Sequence, residues 1–238
     1  MRTTIIVAIS ALVLLAMAGG ASAADRPVLG VAEFHNGATG VWWWGGGVGW
    51  ELSGMLTNEL AATGSFTMVE RSKLQPVLAE QDLADYGRIR PGTGAQVGKL
   101  TGSEYLVFST VSAFEDNTKG TGGGIGYKGI RLGGKKKEAY MAVDLRVVNS
   151  TTGEVEYVRS VEARSGGRGF SVGVHRWGFS GNLAQHEKTP VGKAIRGVVI
   201  EIADYLECAM VYQDDCMAEY DAKERRRRQR TKSSIKLD

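Results

Sequence analysis

The chain has 238 residues, enough for one domain with an appendage, and its formal net charge at neutral pH is only +3. That balance gives no reason to expect a nucleic-acid partner, and no mature segment approaches the roughly 18 apolar residues of a membrane-spanning helix. Glycine is the unusual component, because the 33 glycines concentrate at residues 40–49, 120–134 and 166–181.

Residues 1–23 have the pattern of a secretory signal peptide. Arg2 precedes an apolar run at Ile5–Met17, and small residues including Ala21 and Ala23 follow. The run is shorter than the roughly 20 residues that span a bilayer, so we expect cleavage after Ala23 and export of the rest. No cysteine stands near that junction, so we expect no lipid-anchor cysteine on the mature chain.

Residues 24–213 alternate strand and helix patterns and predict one mixed α/β domain, a mixed sheet packed by helices. Arg26–Phe34 is predicted as the first and central strand. Val41–Trp50 (VWWWGGGVGW), here called the tryptophan loop, holds four of the five tryptophans. Apolar residues at helical spacing predict a helix over Glu51–Ala62. A strand at Ser65–Val69 and a helix at Ser72–Asp85 follow.

The second half of the domain is predicted to be mainly strands with a closing helix. A short helix is predicted at Gln96–Leu100 and a strand at Tyr105–Phe114. Tyr140–Val148 alternates apolar and polar side chains, which predicts a half-buried strand, and Val155–Arg164 is its predicted partner. Thr189 and Pro190 then predict the start of a long helix with an apolar stripe as far as Met210.

Three segments fall outside this regular pattern. Residues 116–137 and 165–187 are glycine-containing insertions, and residues 214–238 form a basic tail with four arginines at Arg225–Arg228. The arginines suit an acidic partner such as an anionic lipid. We favour a solvated tail that continues the last helix and frays.

Two motifs that suggest catalysis or nucleotide binding lack their required context. Gly124–Gly129 (GIGYKG) has dinucleotide-loop spacing, but that loop must turn into a helix, and a strand is expected here. Gly169–Gly173 (GFSVG) has nucleophile-elbow spacing around Ser171. No acidic residue lies between Ser171 and the last histidine, His186, so the triad order of that fold cannot be completed. We therefore predict a protein that is not an enzyme.

The histidines and cysteines show no metal-ligand spacing, so no metal or cofactor is expected. His35, His175 and His186 are expected at the surface or in loops. Cys208 and Cys216 lie eight positions apart, about 12 Å along a continuous helix, whereas a disulfide needs Cα atoms within about 7 Å. A bond therefore requires a helix break near Gln213–Asp215, and both the bonded and the free state stay open.

Several stretches, in chain order, resemble the CsgG family of curli production assembly/transport components. They are Val28–Phe34 (VLGVAEF), Met55–Gln81, Ser103–Glu115, Ala142–Val155 (AVDLRVVNSTTGEV) and the helix from Pro190. The resemblance implies a periplasmic domain that assembles into a homo-oligomeric ring. Each subunit would add two β-hairpins to a shared outer-membrane barrel through which unfolded protein subunits leave.

The same resemblance assigns roles to particular residues. The loop between the first strand and the first helix forms the constriction in this family, so Trp42, Trp43, Trp44 and Trp50 become candidates for a pore rim or a docking loop. The insertions become the hairpins, and Phe170, Val172, Val174 and Trp177 are the candidate membrane-facing residues. The alternative is a soluble periplasmic binding module of the same fold, acting as an envelope scaffold or a cell-wall synthase activator.

Overall fold

The structure is a computed structural model that describes residues 26–116, 138–165 and 188–235, with residues 126–127, 130–131, 183 and 186. Its strands are β1 (Val28–Val31), β2 (His35–Asn36), β3 (Thr67–Val69), β4 (Tyr105–Asp116), β5 (Gly126–Tyr127), β6 (Ile130–Arg131), β7 (Ala139–Asn149) and β8 (Val155–Arg164). Its helices are α1 (Val48–Thr63), α2 (Leu74–Asp85), α3 (Pro190–Glu207) and α4 (Cys216–Ser234), with a π-helical turn at Cys208–Tyr212.

The main sheet is mixed and has the order β3–β1–β4–β7–β8, with β2 also paired to β4. β1 runs parallel to β3 and β4, whereas β4, β7 and β8 form an antiparallel meander. β5 and β6 pair separately with each other. The predicted mixed α/β class is therefore confirmed, but the prediction that the first strand is central was wrong. β1 is second in the order, and the longer β4 is the middle strand.

The core lies between one face of this sheet and the helices α1 and α3, which also contact each other. In β7, Val143, Leu145 and Val147 are buried while Asp144 and Arg146 are exposed, so the predicted half-buried strand is confirmed. The alternation follows from the two-residue period of a strand, which sends successive side chains to opposite faces.

Helix α3 supplies the other half of this core. Its cap residue, Thr189, accepts a hydrogen bond from the backbone N–H of Gly192 at 3.2 Å, and Pro190 occupies the first helical position as predicted. The buried stripe continues beyond α3 into the π-helical turn, where Cys208 and Ala209 are buried. The long closing helix is thus confirmed in position and in the face that it buries.

Two predicted elements differ in the structure. Residues 96–100 form a turn and not a helix, because Gly98 has φ +76°, which a right-handed helix does not permit. The helical path is interrupted at Gln213, and residues 216–234 form the separate helix α4. The expectation of a frayed continuation of the last helix was therefore wrong. Tyr220 of α4 is buried, which explains why the segment folds back onto the domain.

None of the helices within the described ranges is long and apolar enough to cross a bilayer. The predicted signal peptide at residues 1–23 lies outside the described residues. So do most of the two insertions, including Phe170, Val172, Val174 and Trp177.

Candidate functional site: the tryptophan loop

The tryptophan loop follows β2 and runs into the first turn of α1, so Trp50 lies in that helix. Glycines determine the backbone path of the loop. Gly40 has φ +72° and Gly47, the residue before α1, has φ +88°, conformations that other residues rarely adopt. Gly49 lies in the first turn of α1, and its carbonyl accepts a hydrogen bond from the backbone N–H of Phe34 at 3.2 Å. A Cβ on Gly49 would lie 2.4 Å from the Phe34 carbonyl oxygen, so only glycine permits this close approach.

The loop divides its tryptophans between the core and the surface. Trp43 is only 5% exposed, and its ring packs edge-on against Phe114 of β4 with centroids 5.5 Å apart. Trp44 is half-buried against the same cluster, with its ring centroid 5.8 Å from that of Trp43. Trp43 therefore belongs to the core of the isolated subunit.

Among the four tryptophans of the loop, Trp42 and Trp50 are the most exposed, with exposed fractions of 62% and 38%. Trp42 is nevertheless fixed in place. Its indole N–H donates to Asp116 Oδ2 at 2.9 Å, and its ring meets that of His186 edge-on with centroids 5.1 Å apart. His186 lies in a short turn, as expected, but it is buried and not at the surface.

The loop lies where both insertions join the domain. Asp116 is the last residue of β4 and the first of the first insertion. Leu183 and His186 precede α3 at the end of the second insertion. Leu183 donates its backbone N–H to Glu51 Oε2 at 2.9 Å, which connects the start of α1 to the second insertion.

The other ends of the two insertions also meet. Ser165 follows β8, and its hydroxyl accepts a hydrogen bond from the backbone N–H of Ala139, the first residue of β7, at 2.8 Å. A small cleft of about 190 Å³ opens between the two ends of the first insertion and the start of α3. It is lined by Trp42, Asp116, Glu138, Ala139, Thr189, Pro190 and Val191.

This arrangement provides a surface suited to contact with another chain. It offers an exposed, fixed indole beside a carboxylate and a cleft. Indole rings provide a large rigid contact area with one polar N–H, and they bind apolar side chains without requiring a particular sequence.

The two cysteines lie beyond the carboxyl end of α3, whereas the tryptophan loop is near its amino end. Cys208 and Cys216 are joined by a disulfide with Cα atoms 6.0 Å apart, and the chain turns between them at Gln213, which has φ +50°. A carboxylate oxygen of Asp214 lies within 4.8 Å of both sulfurs, and Asp214 accepts a hydrogen bond from the backbone N–H of Cys216. The bond between the sulfurs removes the two thiolates that a metal would need there.

Helix α4 is anchored by contacts that the sequence patterns did not predict. Tyr220 packs edge-on against Tyr205 of α3, and the guanidinium of Arg159 lies 5.2 Å above the Tyr220 ring. Arg159 also donates to the Tyr220 carbonyl at 2.6 Å. Burial is the main cause that raises the pKa of Tyr220, and the carboxylates of Glu201 and Asp204 raise it further.

The fold and this site define a mixed α/β domain with a fixed aromatic loop beside two insertions. The chain belongs to the CsgG family: the sequence model described as curli production assembly/transport component CsgG matches residues 12–235.

A curli production assembly/transport component of Salmonella typhimurium is 30% identical over 105 residues. The same component of Escherichia coli K12 is equally similar. The aligned stretch covers 42% of this chain and only 38% of either relative, so it spans less than two-fifths of their length.

Among solved structures, the hypothetical protein CT253 from Chlamydia trachomatis is 14% identical, with a TM-score of 0.44. The match covers 77% of this chain and 96% of that one. The PelC dodecamer from Paraburkholderia phytofirmans is 12% identical, with a TM-score of 0.38 and coverage of 75% and 87%. Because both scores are below 0.5, no property of these proteins is transferred to this chain.

Proposed function

We propose that this chain is a non-enzymatic secretion component of the cell envelope. In this proposal it is exported, associates with the outer membrane, assembles into a homo-oligomeric ring and passes unfolded protein subunits through that ring. Membership of the CsgG family supports the class. The observation that carries the proposal is the position of the tryptophan loop, which contacts the ends of both insertions through Trp42, at Asp116 and at His186.

The position of the loop would give the ring an aromatic constriction. The insertions are the proposed membrane hairpins, so their ends mark the junction between the domain and the membrane. A loop held at that junction in every subunit would repeat around the ring as a girdle of indoles. Trp42 is held by Asp116 and His186, so binding a passing chain would require little further ordering of its side chain.

The structure narrows the set of proposed contact residues. Trp42 and Trp50 are exposed and are the proposed rim, whereas Trp43 is the support that holds the loop to β4. Trp44, half-buried beside Trp43, belongs with the support.

The test is the size and conductance of the full chain extracted from cell envelopes with detergent. We expect a large assembly by light scattering and a stable conductance in planar bilayers. Trp42→Ala and Trp50→Ala should raise the conductance, because each removes an indole from the rim. Tyr86→Ala is the matched control, since Tyr86 is a 72% exposed aromatic away from the loop and should leave the conductance unchanged.

A periplasmic binding module is the second candidate, and one observation favours it. The exposed ring of Trp42 and the adjoining cleft of about 190 Å³ form a docking point on a single subunit, without any ring. A chain that is monomeric in the soluble periplasmic fraction, with and without detergent, would contradict the secretion ring and support this module. The partner would then be an envelope protein.

A further inference from the structure

Helix α4 extends well beyond the domain that anchors it. Tyr220 is its buried residue, and from Arg225 onward the side chains are exposed, except for the half-buried Arg227. Because a helix rises 1.5 Å per residue, the part after Tyr220 is about 20 Å long. Residues 225–234 of α4 are here called the basic arm.

Much of the positive charge on this arm is not neutralised within the subunit. Glu224 pairs with Arg227 at 2.8 Å and with Arg228 at 3.0 Å. Within the described residues no carboxylate lies at ion-pair distance from the four remaining cations, which are Arg225, Arg226, Arg230 and Lys232. Like charges at helical spacing repel each other, so an acidic partner would stabilise the arm.

The arm lacks the apolar face of a helix that inserts into a bilayer, so a lipid surface would attract it by charge alone. A helix that lies on a bilayer inserts an apolar face among the acyl chains. Residues 223–234 read KERRRRQRTKSS and contain no large apolar side chain on any face. The chemistry therefore favours the acidic surface of a protein over a lipid surface.

The domain carries such an acidic surface on the outer side of α1 and α3. It consists of Glu201, Asp204 and Glu207 of α3 with Glu59 of α1, and is here called the acidic patch. Glu201, Asp204 and Glu207 follow one another at three-residue spacing on α3, so their side chains are neighbours on one side of that helix, which packs against α1. Partial burial raises the pKa of Asp204, and the carboxylates of Glu201, Glu207 and Glu59 raise it further. Within the described residues the patch has one cation at ion-pair distance, Lys223, which lies 3.1 Å from Glu201.

The basic arm of a subunit leads away from that subunit's own acidic patch. Lys223, just before the arm, contacts the patch, but Arg227, one turn later, lines a cleft on the sheet together with Asp144 and Ser160. The direction is fixed by the Cys208–Cys216 disulfide and by the bond from Arg159 to the Tyr220 carbonyl. A fixed arm and a separate complementary patch define two different surfaces, as a head-to-tail contact requires.

We propose that the basic arm docks on the acidic patch of a second copy of this chain. The inference rests on the proposed ring and adds the contact that connects neighbouring subunits. A contact between two different surfaces relates each subunit to the next by a rotation. When a whole number of these rotations completes a full turn, the subunits form a ring. Each arm would then neutralise carboxylates that repel one another in the free subunit.

Charge reversal with rescue tests this contact. The arm variant is Arg225→Glu with Arg226→Glu and Arg230→Glu, and the patch variant is Glu59→Lys with Asp204→Lys. A third variant carries all five changes. The matched control is Lys73→Glu with Arg90→Glu and Lys99→Glu, which reverses three exposed cations elsewhere and changes the net charge as much as the arm variant does.

The measurement is mass by light scattering of the detergent-extracted full chain, at about 50 mM salt, where exposed charges are weakly screened. We expect the wild type and the control to assemble. The arm and patch variants should each raise the dissociation constant at least tenfold, and the five-change variant should recover assembly. Circular dichroism of each variant checks that α4 and the domain remain folded.

A milder variant guards against a folding defect in the patch, because Asp204 lies near Lys223. Glu59→Gln with Asp204→Asn removes charge without adding cations, and it should weaken assembly less than the reversal does. Assembly of the arm variant equal to wild type would overturn the arm contact and leave the ring standing. A monomeric wild type would overturn both proposals.

Flotation with phosphatidylglycerol-containing vesicles tests the alternative that the basic arm binds an anionic lipid surface. Arm-dependent binding to vesicles, with assembly unaffected by the arm variant, would overturn the contact between copies in favour of a lipid surface.

Discussion

The indole N–H of Trp42 donates to the Asp116 carboxylate at 2.9 Å, although the two residues lie 74 positions apart in the chain. The bond connects the tryptophan loop to the end of β4. The adjacent residue, Trp43, is held to the same strand by burial against Phe114. Two neighbouring tryptophans are thus fixed by different forces, and substitutions should separate their contributions.

We expect Trp43→Ala to lower the free energy of unfolding by about 3–5 kcal/mol, as for other buried aromatic truncations. Trp42→Phe keeps a ring against His186 and loses only the hydrogen bond, so it should cost about 0.5–1.5 kcal/mol. Urea unfolding followed by circular dichroism measures both. Equal losses at the two positions would contradict the division between core and surface.

Gly49→Ala should destabilise the domain by about 1–3 kcal/mol, because the added methyl overlaps the Phe34 carbonyl and the Glu33 side chain. Gly54 lies in the same helix with nothing within 4 Å of an added Cβ. Gly54→Ala should therefore stabilise α1 by about 0.5–1 kcal/mol. Thermal unfolding of the two variants should give melting temperatures on opposite sides of the wild type, and two shifts of the same sign would refute the close approach.

Removal of the disulfide should loosen α4 before it affects the sheet. The bond closes a loop of eight positions, for which loop entropy gives about 2–3 kcal/mol. In the Cys208→Ala, Cys216→Ala chain we expect faster amide exchange in α4 and faster tryptic cleavage at Arg225–Arg230. Amides of β7 should change little by comparison. Wild-type chain in reductant is the control, and it should behave as the variant does.

Acid should weaken the α4 contacts through Glu224. Hydrogen bonds from Arg227, and then from Arg228, lower the pKa of Glu224 to about 2. A carboxyl with a lowered folded pKa stabilises the folded state above its ordinary pKa of 4.5, and this contribution is lost as the pH falls toward 2. The difference in unfolding free energy between wild type and Glu224→Gln should therefore be constant above about pH 5 and disappear near pH 2. A difference independent of pH would contradict the ion pair.

The elements predicted correctly from the sequence are those with a local pattern that shows which side chains are buried or where the element begins. β7 was found because apolar and polar side chains alternate in it, and α3 because Thr189 and Pro190 mark its start. The error at residues 96–100 has a local cause. Val97 and Leu100 have helical spacing, but both are exposed, and Gly98 turns the chain.

Long-range contacts could not be predicted in this way. The folding of α4 depends on Tyr220 meeting Arg159 and Tyr205, which lie in other elements. A single aromatic residue before a run of arginines was the only sequence signal. The buried position of His186 similarly depends on Trp42, far away in the chain.

The sheet order has a consequence for the sequence of events during folding. β7 and β8 pair across a short turn, so their hairpin forms with little loss of loop entropy. β1 must instead wait for β3, which pairs Val28 with Thr67 after α1, and for β4, which pairs Leu29 with Tyr105. As the chain emerges with its amino terminus first, β1 remains unpaired until α1 and β3 have followed, and it gains its second partner only with β4. We expect the β7–β8 amides to gain protection from exchange first during refolding, and those of β1 last.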